Sequence, residues 1–118
     1  MIEPKEIIVD EIKYVIHKFP ALIGYEIVSR YMPFLLSKSE DYEIKKPLLF
    51  KIMKFVGIVL DSHSQPLMLT TEALIDNHIK NWEILAEIES KIMEYNCSFF
   101  QKGRLLSFLE DIAQKSPV

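Results

Sequence analysis

Residues 47–60, PLLFKIMKFVGIVL, decide the class of fold. Leu48, Leu49, Ile52, Phe55, Val56 and Val59 recur at spacings close to three and four, as on a helix with one apolar face. The pattern predicts a helix starting near Pro47 and reaching the loop Asp61–Pro66, DSHSQP. Gly57 would then lie inside a helix, at a cost of up to about 1 kcal/mol relative to alanine, which close helix packing would explain.

Working outward, Lys5–His17, KEIIVDEIKYVIH, reads as two short β-branched strands broken at Asp10-Glu11, a hairpin whose turn lacks glycine. Pro20 opens a helix in PALIGYEIVSRYMPFLL, with Ile23, Ile27 and Tyr31 on one stripe, and Pro33 is expected to end or kink it near Met32. After the polar link SKSEDY (37–42), Thr70 or Thr71 can cap a short helix over Glu72–Ile79. Trp82–Tyr95 is a further helix, with Leu85, Ile88, Ile92 and Tyr95 on one face. A last helix follows Gly103 with Leu105, Phe108, Leu109 and Ile112. The expected architecture is mainly α. It is a single domain over 1–118, with a β-hairpin at 5–17, a helical body of about five helices at 20–114 and a frayed tail at 115–118.

A chain of 118 residues, 49% apolar, with seven Phe, five Tyr and one Trp, can build a core without disulfides or metal. The single cysteine cannot form an internal disulfide, and no apolar run approaches the roughly 20 residues needed to span a bilayer. Met1–Glu11 does not read as a signal peptide, so an intracellular, soluble protein is expected, with no membrane partner. A net charge of −3 argues against indiscriminate nucleic-acid binding. Lys45, Lys46, Lys51 and Lys54 form the one basic cluster, and a solvated helix face accounts for it.

Chemistry is sparse. Cys97 has no cysteine-enzyme signature around it, and His17, His63 and His78 are far from it in sequence, so it reads as a small buried apolar residue. His63 and His78 lack metal-ligand spacing, and Asp76, Asn77 and His78 point in different directions on a helix. No phosphate-binding glycine loop or nucleophile elbow occurs, and no catalytic residue, metal or cofactor is expected. What remains is an excess of apolar residues. Tyr31, Met32, Phe34, Leu35 and Leu36 crowd around Pro33, and Phe99 and Phe100 are adjacent, so both cannot enter one core.

Three stretches, KFPALIGYEIVSRY (18–31), LTTEALIDNHIKNWEILAEIE (69–89) and YNCSFFQKGRLLSFLEDI (95–112), resemble the tail assembly chaperone family of long-tailed bacteriophages. The resemblance runs from about Ile7 to Ile112. It implies a small non-catalytic protein of the host cytoplasm, absent from the mature virion. Such a protein holds the tape measure protein soluble and helps recruit tail tube subunits. It also implies, in many members, a longer product made by frameshifting. On this reading Tyr95, Phe99, Phe100 and Phe108 are the candidate partner-binding residues, and a homo-oligomer is allowed. The alternatives are a structural tail-completion or head–tail joining protein, and a helical regulator binding DNA or a host protein.

Overall fold

In the computed structural model, which describes residues 4–36 and 42–97, the N-terminal hairpin forms as the sequence predicts. Strands β1 (Lys5–Val9) and β2 (Ile12–Ile16) pair antiparallel, with Ile7 opposite Tyr14 and Val9 opposite Ile12. Asp10 and Glu11 have φ of 51° and 66°, the left-handed pair that a two-residue hairpin turn demands. Asparagine, aspartate and glycine adopt it most easily; Glu11 is carried into it by the strand pairing on either side.

The stretch 47–60 divides in two. Helix α1 (Ala21–Leu36) is followed by α2, which spans Tyr42–Met53 and so starts before Pro47. Pro47 sits in the second turn of α2, where its missing N–H costs one bond, to the Glu43 carbonyl. The burial of Leu48, Ile52 and Met53 holds the helix around it. The Phe55 N–H donates to the Ile52 carbonyl at 3.1 Å, which tightens the helix end, and Val56–Ile58 becomes strand β3. Val56 lies opposite Ile16, Gly57 opposite Val15 and Ile58 opposite Tyr14. The ladder is extended by His17 N–H to Phe55 O and Val59 N–H to Lys13 O, both at 3.0 Å. Strand β4 (Leu67–Met68) pairs with the far side of β3, giving an antiparallel sheet in the order β1-β2-β3-β4.

The class is therefore mixed: among the described residues, four helices and a four-stranded antiparallel sheet, in place of the mainly α body of about five helices that the sequence predicts. The helix expected after Gly103 lies outside the described residues. The expected helical positions of Phe55, Val56 and Val59 are corrected to a helix exit and a strand. The physical reason is burial on both faces of β3, which erases the alternation that marks a half-buried strand. Gly57 permits this. A Cβ there would come within 2.9 Å of Met68 Sδ and 3.0 Å of Pro66 Cβ.

Helix α1 likewise continues to Leu36 through Pro33, where an end or kink is expected. Proline removes one bond near the helix end, and Phe34, packed against the core, holds the last turn in place. Helix α3 (Glu72–His78) is capped by Thr71, whose hydroxyl accepts from Leu74 N–H. Helix α4 (Trp82–Asn96) is capped in the same way by Asn81, which accepts from Ile84 N–H at 3.0 Å.

One sheet face meets α1, α2 and α4. Tyr14, Ile16, Val56, Ile27, Ile52, Met53, Ile88, Ile92 and Met93 are fully buried there. Among the described residues the buried Tyr14 hydroxyl has no partner, at a cost of roughly 1–3 kcal/mol. The three helices are also joined by a polar contact. Tyr31 of α1 donates to Glu89 Oε2 of α4 at 2.6 Å, and Lys45 Nζ of α2 lies 3.3 Å from the same oxygen. Glu89 is thus a buried carboxylate with both a hydrogen-bond donor and a cation, which offsets its desolvation.

Replacing Gly57 with valine is expected to destabilise the fold by about 1–3 kcal/mol, because Pro66 cannot move away as the Met68 side chain can. Chemical denaturation checks this. A Gly57→Val chain with unchanged midpoint would show that β3 and β4 are not packed in this way.

Candidate functional site

The link between β2 and α1 is four residues long, and the end of α4 fixes it. Asn96 Oδ1 accepts from Phe19 N–H at 2.7 Å, while Asn96 Nδ2 donates to the His17 carbonyl at 3.1 Å and the Ile92 carbonyl at 3.0 Å. Lys18 reinforces the joint by donating to the Tyr95 carbonyl, with its ammonium 4.1 Å from the centre of the Tyr95 ring. Phe19 packs edge-on against Phe55, ring centres 5.2 Å apart. Helix α1 therefore leaves this joint in a set direction.

Its inner side supplies Ile27 and Tyr31 to the core. Its outer side is mixed: of its 16 residues only Glu26, Ser29 and Arg30 are polar, and Ser29 and Arg30 stand in solvent beside exposed apolar side chains. Apolar residues of a surface helix normally face the core. Here Leu22 is 87% exposed and Tyr25 78%, with Ile23 also exposed. Beside them runs a groove of about 490 Å³, lined by Phe19, Gly24, Tyr25, Val28, Met32 and Asn96. Gly24 deepens it: a Cβ there would meet Phe19 Cβ at 3.1 Å.

Of the sequence candidates, Tyr95 is half-buried at the end of α4, its ring flanked by Lys18 and, 5.9 Å away, by Lys5. Phe99, Phe100 and Phe108 lie outside the described residues. The structure adds Leu22, Tyr25 and Val28 to this surface and places Met32, one of the apolar residues crowded around Pro33, in the same groove. The signal was present in the shortage of polar residues in 21–36.

Cys97 is buried just past α4. Burial pushes its thiol up to about 11, with the Lys18 charge acting in the opposite direction. A thiol held protonated at neutral pH is a poor nucleophile. Asp76 is exposed on α3, and His63 stands on an exposed loop with Ser62 Oγ 2.9 Å from its Nδ1. No group of three or more metal-ligating side chains comes together among the described residues. No helix among them is long and apolar enough to cross a membrane. In the basic cluster, Lys45 faces Glu89, Lys46 lies 3.6 Å from Glu72 and Lys51 bonds Glu26. Three of its four charges are thus turned toward carboxylates.

No family model matches the chain, and no curated protein or solved structure matches it significantly.

The raised thiol of Cys97 predicts a pH dependence. Its proton is held more tightly in the folded than in the unfolded chain. The associated stability is fully present below about pH 8.5 and is lost as pH rises to about 11. Tyr14 and Tyr31, raised mainly by burial, extend the loss above pH 10. Cys97→Ala is expected to flatten the decline between pH 8.5 and 10, by about 1–2 kcal/mol, in urea melts across that range. An unchanged slope would place the thiol in contact with water.

Proposed function

We propose that the protein is a non-catalytic holding chaperone of phage tail assembly. It takes an amphipathic helix of the tape measure protein against the outer face of α1, and releases it as tail tube subunits arrive. The observation that carries this reading is the exposed apolar patch on the outer side of α1. Leu22 and Tyr25 stand in solvent beside a preformed groove, on a helix anchored at its base by Asn96. A groove of this kind suits the helix-in-groove mode, in which apolar side chains at i, i+3, i+4 and i+7 supply the contacts. A patch of exposed apolar residues marks an interaction surface more often than a solvated one. The resemblance of residues 18–31, 69–89 and 95–112 to tail assembly chaperones supplies the identity of the partner. The protein then acts in the host cytoplasm and is absent from finished virions, unlike a tail-completion or joining protein. Tyr95, Phe99, Phe100 and Phe108 are proposed as further partner-binding residues.

The test is co-expression with the tape measure protein, the long helical protein that this reading expects to be encoded downstream. The wild-type chain is expected to keep that protein soluble and to co-purify with it. Leu22→Asp/Tyr25→Asp should lose at least tenfold of the retained partner. Its own stability should stay within about 0.5 kcal/mol per site, because both side chains are exposed. Full retention by the double variant, or none by the wild type, would overturn the reading.

A further inference from the structure

A different surface stands apart from the α1 groove. Strand β1 is an edge of the sheet. The closing pair of the hairpin is Val9 with Ile12, so the bonded pairs are Val9–Ile12, Ile7–Tyr14 and Lys5–Ile16. The backbone groups of Glu6 and Ile8 therefore point away from β2, and among the described residues nothing pairs with them. Ile8 is 66% exposed. An open edge with an exposed isoleucine invites strand addition unless something blocks it.

Two hollows lie end to end between this edge and α4. One, of about 290 Å³, is lined by Val9, Asp10, Asn81, Glu83, Ile84 and Glu87. The other, of about 180 Å³, is lined by Lys5, Ile7, Lys91, Glu94 and Tyr95. The furrow is acidic at the turn end; of its three carboxylates, Asp10 has Lys80 at 3.7 Å. The other end carries two cations, Lys5 and Lys91, with one carboxylate, Glu94. An added antiparallel strand should bring a cation to the Val9 end, an apolar side chain beside Ile7, and no acid beside Val9.

The chain's own β1, Lys5-Glu6-Ile7-Ile8-Val9, has that pattern. We propose that the β1 edge binds the β1 edge of a second copy, antiparallel about a two-fold axis at Ile7. In this register Glu6 and Ile8 of one copy exchange main-chain hydrogen bonds with Ile8 and Glu6 of the other, four bonds in all by the antiparallel rule. Lys5 of each copy lies opposite Val9 of its partner. Because odd-numbered side chains share the face toward α4, that lysine reaches the hollow holding Glu83 and Glu87. The two sheets become one of eight strands, and both open β1 edges disappear. The surface does not include the α1 groove and shares only Tyr95 with the partner-binding candidates; the variants at Lys5, Ile8 and Glu87 leave Leu22 and Tyr25 untouched, so the dimer and the partner-binding reading are tested separately.

Sedimentation of the full chain tests it. The wild type is expected to be a dimer whose dissociation constant rises with salt. Lys5→Glu sets an acid against Glu83 and Glu87 and should weaken the dimer roughly tenfold or more. Adding Glu87→Lys should restore most of that loss. Ile8→Pro removes an outward N–H that makes no bond within the chain, so it should give a folded monomer by circular dichroism. A wild-type chain that is monomeric at high concentration overturns the proposal. So does a dimer indifferent to both Lys5→Glu and Ile8→Pro.

Discussion

The side chain of Asn96 is the joint on which the arrangement turns. A single amide satisfies Phe19 N–H and the His17 and Ile92 carbonyls, and so ties the last turn of α4 to the link between sheet and α1. Those three backbone groups would otherwise need water in a tight, part-buried corner. Because the amide both accepts and donates, neither aspartate nor a hydroxyl could reproduce the set. The joint fixes how α1 crosses the domain. From there Tyr31 reaches Glu89, and Val28 and Met32 line the groove.

That geometry separates the two faces of one helix. The inner face is committed: Ile27 is fully buried, and the Tyr31–Glu89–Lys45 contact locks α1, α2 and α4 together. The outer face leaves Leu22, Ile23 and Tyr25 in solvent among the polar Glu26, Ser29 and Arg30. The contacts that stabilise the domain and the apolar side chains left in solvent therefore belong to different residues of the same element. The proposed holding role would use this division, since a surface that must release its partner cannot also carry the core.

The sequence was most legible where a signal was local. The β-branched runs on either side of Asp10-Glu11 foretold the hairpin. Thr71, one of the two caps considered, starts α3, and Trp82–Tyr95 is helical to within a residue. It was least legible at 47–60. There Leu48, Ile52 and Met53 belong to a helix and Val56, Gly57 and Ile58 to a strand. Both lie on one uninterrupted apolar run, because β3 is covered on both faces. Periodicity cannot mark a boundary between two buried elements; the β-branched V-G-I-V and its glycine were the remaining hints. The prolines misled in the same direction. Pro33 and Pro47 suggested helix ends, yet packing of Phe34 and Leu48 outweighs one lost hydrogen bond each. For the site, the aromatics near Cys97 drew attention toward the end of α4. The outer face of α1 was hidden by its own hydrophobicity, which reads equally well as core.

The most direct test of this account is methyl NMR of the chain titrated with an amphipathic helical peptide from the tape measure protein proposed as its partner. The account predicts shifts at Ala21, Leu22, Val28 and Met32, with the methyls of Ile88 and Ile92 in the core unmoved. Shifts centred on the core methyls, or none along α1, would contradict the claim that the outer face of this helix is where a partner is held.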